Sequence, residues 1–151
     1  EFRRVLFRSA GGLYLDPDVG PFIPGENIAR CLVDGAKLTK MGVKVTRGVF
    51  ISTDVNPLSY KGPRAEQSLW DQGWRHMASV KVGTSRTMRC RPWFPEWAVQ
   101  AEGVLDPAVL ELDDLVTIAS NAGSLIGLGD WRPRFGRFTA TVQQIAKADA
   151  A

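Results

Sequence analysis

The chain switches several times between helical and strand-like spacing of its apolar positions. Residues 11–22 read as a short extended piece and a turn, punctuated by Asp16-Pro17 and Gly20-Pro21. Pro24 suits the first turn of a helix and Glu26 its positive end. Ile28, Cys31, Leu32 and Leu38 then recur at mostly helical spacing to about Lys40. Strict alternation follows, with Val43, Val45, Arg47, Val49 and Ile51 on one face and Lys44, Thr46, Gly48, Phe50 and Ser52 on the other. That pattern predicts a half-buried strand. Residues 54–75 form a long connection in which Trp70 and Trp74, four apart, share one face of a short helix. Residues 77–82 and 86–91 read as a hairpin around Gly83-Thr84-Ser85. Trp97, Val99, Ala101, Gly103 and Leu105 mark another strand, ended by Asp106-Pro107.

A second helix is predicted from the apolar stripe Leu112, Leu115, Ile118, Ala119 and Ala122, with Glu111, Asp113 and Asp114 near its N-terminal turn. A glycine-rich loop leads to a last strand in which Phe138, Ala140 and Val142 alternate, and residues 147–151 form a tail. Two helices separated by strands predict an α+β chain of split β-α-β type, an antiparallel sheet with two main helices on one face. One domain, residues 10–146, is the expected organisation.

Composition narrows the chemistry. A chain of 151 residues with 44% apolar content can bury a core without metal or disulfide. Nineteen basic and sixteen acidic residues give +3, too little to imply nucleic acid unless the charge is clustered. Residues 1–9 carry three arginines and one glutamate and resemble the translation of a sequencing adapter, so they are set aside as an artefact. The remaining charge is then +1, and the native protein is expected to begin upstream of Ala10, with an N-terminal strand missing. No apolar run is long enough to cross a bilayer, so a membrane partner is not expected. Cys31 and Cys90 read as core residues rather than metal ligands, nucleophiles or a disulfide framework, and a bacterial cytoplasm is the expected setting. His76, the only histidine, excludes schemes that need two imidazoles. Asp16-Pro17-Asp18 reads as a turn rather than a cation site. No cofactor and no metal site are expected.

The most unusual stretch is 123–138. Gly127, Gly129 and Gly136 permit positive φ and close backbone approach. Arg132, Arg134 and Arg137 supply phosphate-directed donors, while Trp131 and Phe135 offer stacking faces. Its helix–loop–strand order argues against a dinucleotide fingerprint, which runs strand–loop–helix. Gly127-Leu128-Gly129 followed by the basic spacer 130–134 resembles the glycine-rich loop of the RAMP superfamily of CRISPR RNA-binding proteins. Phe135-Gly136-Arg137 stands where that family has a second glycine pair, so the match is partial. The resemblance implies a ferredoxin-like domain and an RNA partner. The ending Arg132-Pro133-Arg134-Phe135-Gly136-Arg137-Phe138 is also similar to that of a family of uncharacterised phage and prophage proteins, which implies phage origin.

A second basic cluster precedes Pro92-Trp93-Phe94 and Trp97. Alternation puts Arg86 with Met88 and Cys90, and Arg89 and Arg91 with Thr87 on the opposite, solvent-directed face. Together these residues predict a single-stranded RNA or DNA binding protein, with self-association along the strand as a further expectation. Two alternatives stand beside it. One is a metal-independent endoribonuclease of the same fold with His76 as its base. The other is a phage assembly or host-interaction protein whose tryptophans form a protein interface.

Overall fold

The structure, a computed structural model, describes residues 13–145; the segment 1–9 and the tail 147–151 lie outside them. It is a mixed helix and strand protein whose described strands all pair antiparallel. The elements are β1 (Leu15–Asp16), β2 (Gly20–Pro24), α1 (Gly25–Lys37), α2 (Gly42–Gly48), β3 (Val49–Ile51), β4 (Val55–Ser59), α3 (Glu66–Asp71), β5 (Arg75–Val82), β6 (Ser85–Pro92), β7 (Ala98–Val99), β8 (Gly103–Leu105) and α4 (Leu112–Asn121). A π-helical turn, Ala122–Ile126, continues α4. None of the described helices is long and apolar enough to cross a membrane.

Two compact units share the described residues: 13–24 with 55–100, and 25–54 with 101–145. The first contains a four-stranded sheet ordered β1-β2-β4-β7, the two-stranded ribbon β5-β6 and the short α3. Asp16 closes the β1–β2 turn by accepting from the N–H groups of Asp18 and Val19 at 2.8 and 3.1 Å, so this acidic pair does turn chemistry. Tyr60, Trp74 and Phe94 pack as a tilted aromatic trio with centroids 4.7 to 5.9 Å apart. Arg64 lies over the Tyr60 ring at 4.3 Å, and Tyr60 Oη donates to the Pro63 carbonyl. Burial pushes the Tyr60 phenol pKa up, against the opposing pull of Arg64. The segment 60–64 is thus an ordered turn.

The second unit holds α1, α2, α4 and the small ribbon β3-β8. Its core is Ala36, Val45, Leu110, Leu115 and Ile118, with Met41, Val49 and Val142 packed around it. Each fully buried aliphatic side chain here contributes roughly 1.5–3 kcal/mol. Gly35 lets α1 meet the end of α4 closely, since a Cβ there would fall 2.8 Å from that of Ala122.

Several elements differ from the sequence reading, each for a physical reason. The alternating run 43–52 is a helix followed by a three-residue strand. Met41, Val45 and Val49 recur every fourth residue, a spacing that period two also contains, and all three reach the core. Thr46 Oγ1 donates to the carbonyl of Gly42 at 2.9 Å, a helical back-bond. The connection 54–75 includes β4 and α3. Trp70 and Trp74 do not share a helical face, because α3 stops at Asp71 and Gly73 turns the chain at φ +78°. The expected strand through 97–105 is two strands in different units. Residues 138–142 form no ladder: the Phe138 N–H donates to Gly123 O at 3.0 Å instead. Their alternation still sorts sides, since Phe138, Ala140 and Val142 are half-buried and Thr139 and Thr141 exposed. No pair of described strands is parallel, so the parallel neighbours of a split β-α-β unit are absent among the described residues.

Candidate nucleic-acid interface

The loop 127–137 is built by closing the backbone on itself. The π-helical turn ends where Gly127 takes φ +79° and its N–H donates to Ala122 O at 2.8 Å. Leu128 N–H donates to Gly136 O at 2.8 Å, which pinches the two ends of the loop together. A Cβ on Gly136 would overlap the Leu128 carbonyl oxygen, and one on Gly127 would fall 2.9 Å from Gly136 O. Two of the three glycines therefore serve the loop's own closure. Gly129 differs: it is exposed, sits at φ +97° and has open space where a Cβ would be.

Side chains converge at the far end of the loop. Phe135 N–H donates to Trp131 O at 3.0 Å, and the two rings meet edge-on with centroids 5.4 Å apart. The Arg134 guanidinium carbon lies 5.7 Å from both ring centroids. Arg132 donates from Nη1 to Gly129 O at 2.8 Å, and a cis peptide joins it to Pro133. Arg132, Arg134 and Arg137 are all exposed, as is Phe135, while Trp131 is half-buried. Three exposed cations and an aromatic pair, of which Phe135 is exposed and Trp131 half-buried, thus share a loop whose frame is fixed by main-chain hydrogen bonds.

One residue of this loop's support lies far away in sequence. The buried Cys31 thiol donates to Gly127 O at 3.3 Å, with Ala122 O at 3.8 Å. Burial pushes the Cys31 pKa up to about 11, opposed by the nearby positive charge of Arg132 and aided by Asp34. Spacing along the chain offers no signal for this contact. Helical patterning shows only that Cys31 faces inward.

Arg89, Arg91 and His76 lie in the other unit. The hairpin register sets His76 opposite Arg91 and Ala78 opposite Arg89, so all four share one face of the ribbon. Arg89 is exposed, as expected, but Arg91 is half-buried. The more exposed side is instead that of Met77, Ser79, Lys81, Arg86 and Met88, all exposed, although Cys90 on the same side is buried. His76 sits edge-on to Trp93 at 6.2 Å. Cys90 is buried, and no group of three potential metal ligands gathers among the described residues. No protein family, curated protein or solved structure matches the chain.

Proposed function

We propose that this chain binds single-stranded RNA or DNA through the loop 127–137. The observation that carries the reading is Arg134 beside both Trp131 and Phe135 on an exposed loop that also presents Arg132 and Arg137. A base stacking on such an aromatic surface contributes roughly 1–3 kcal/mol, whatever its identity. The arginines would hold the flanking phosphates, and Gly129, whose surroundings are open, would let the strand approach the main chain. Gly127 and Gly136 keep the frame closed. Kinship with the RAMP proteins and with the phage family, a bacterial cytoplasmic setting and cooperative binding along a strand belong to the same proposal. A ferredoxin-like arrangement receives no support from the described sheets, and the proposal does not rest on it.

The test is binding of a labelled single strand by fluorescence anisotropy over a range of salt. Replacing Arg132, Arg134 and Arg137 together by alanine should weaken binding and lower the salt slope by about 2, since about 0.7 counterion is released per phosphate of a single strand. Unchanged affinity and slope in that variant would overturn the assignment.

A further inference from the structure

The ribbon β5-β6 carries a concentration of charge that the proposed loop site does not use. Its eighteen residues, 75–92, contain Arg75, Lys81, Arg86, Arg89 and Arg91 and no acidic residue, whereas the whole chain balances to only +3. Among the described residues two strands form this sheet, joined by the two-residue turn Gly83-Thr84, with Gly83 at φ +63° in open space. Positive φ at the first central residue fits a type II′ turn, whose twist keeps a narrow ribbon coiled.

The charge is also placed where it costs stability. Lys81 stands directly opposite Arg86 in the register, on the exposed face. Like charges directly opposite one another destabilise a sheet. The two ion pairs shown, Arg30–Asp34 and Lys37–Asp34, both lie on α1 and offer the ribbon no relief. Beside this cation pair Met77 and Met88 are 48% and 51% exposed, flexible apolar side chains on a surface that gains nothing from them in water. The opposite face contributes the exposed Arg89.

We infer that the β5-β6 ribbon is a second nucleic-acid site, and that its ligand is double-helical DNA entered through the major groove. Exposed cations on both faces fit a groove with phosphates along both walls, whereas a single strand can engage one face only. The B-form major groove, about 12 Å wide, admits a two-stranded ribbon. The A-form groove of duplex RNA is too narrow for it. Lys81 and Arg86 would meet one wall and Arg89 the other. Ser79, Met77 and Met88, on the face of Lys81 and Arg86, would line the same wall, and the Gly83-Thr84 turn would lie toward the base edges.

The experiment titrates the full chain into labelled duplex DNA of two helical turns, the matching single strand and duplex RNA. The double variant Lys81→Gln/Arg86→Gln should bind duplex DNA tenfold or more weakly, with the salt slope lower by about 2. Its single-strand affinity should stay within twofold of wild type. Arg89→Gln, on the other face, should weaken duplex binding too. Because the double variant removes a like-charge pair, its thermal midpoint should not fall, which separates lost binding from lost folding. The inference is overturned if wild type does not prefer duplex DNA over duplex RNA, or if the double variant binds duplex DNA as tightly as wild type. It is equally overturned if the variant loses affinity for polyglutamate and keeps it for DNA, the result expected of a site for an acidic protein. Failure of the loop site reads out separately, as single-strand binding indifferent to the triple arginine variant, and leaves the duplex result standing.

Discussion

The loop 127–137 and the ribbon 75–92 are both basic, and they hold their charges in opposite ways. In the loop, main-chain bonds and glycines close a frame, and the arginines extend from it; Arg132 and Arg134 also contact the loop itself. In the ribbon, a hydrogen-bonded ladder sets the positions, and Lys81 and Arg86 face each other with no ion pair to either among the described residues. The loop's stability should therefore be sensitive to its backbone and indifferent to its charge. The ribbon should be the reverse.

The largest effect tests the first half of that contrast. Gly136→Ala places a Cβ into the Leu128 carbonyl oxygen at φ +82°. Left-handed strain together with this overlap should cost more than about 3 kcal/mol, or force the loop open. Urea denaturation measures the cost, and single-strand binding should fall with it. A stable variant that binds normally would show that the closed frame is dispensable.

Next in size is the support under the loop. Cys31 has its folded pKa raised from 9.0 to about 11. A raised folded pKa means that its contribution is fully present below pH 9 and is lost as pH climbs toward 11. Discounting for partial solvation, the loss should be about 1–2 kcal/mol. Urea midpoints measured between those pH values should fall in wild type and flatten in Cys31→Ala. An equal slope in both would remove the thiol from the loop's support.

How far each region could be read from sequence follows from the same contrast. The ribbon was legible because its pattern is local: alternation marks two strands and sorts Arg86 from Arg89 and Arg91, although the turn is Gly83-Thr84 alone and Ser85 pairs with Val82. Which side met solvent was not legible, since that depends on what covers the ribbon, and the more exposed side is that of Lys81 and Arg86. Composition drew attention to the loop and to the positive φ of Gly127 and Gly136, but not to the fact that their demands come from each other's backbone. Elsewhere, Leu115, Ile118, Ala119 and Ala122 of the expected stripe are buried, while Leu112, at the start of α4, is exposed. The run 43–52 misled because every fourth residue of an alternating pattern also makes a helical face, and burial of Val45 decided between the two.

A smaller effect checks the ribbon's turn. Gly83→Ala meets no neighbouring atom, so only its φ of +63° is penalised. The expected cost is about 1 kcal/mol, well below that of Gly136→Ala, although both glycines hold positive φ. Equal costs at the two positions would mean that dihedral strain, not backbone closure, dominates in the loop.

The smallest effect has the opposite sign. Lys81→Gln removes one of two like charges facing each other at an exposed pair, so it should stabilise the chain by a few tenths of a kcal/mol. Raising the salt should erase the gain, because exposed charges this close to solvent are screened at high ionic strength. Adding duplex DNA should then reverse the order. Wild type, with both cations, gains more from a polyanion than the variant does, since a ligand that binds only the folded state stabilises it in proportion to its affinity. Thermal midpoints of both proteins, without and with duplex DNA, at low and high salt, measure all three. Repulsion without function predicts the first two shifts and no reversal, so the crossing of the two midpoints on adding DNA is what ties the cost of the cation pair to its use.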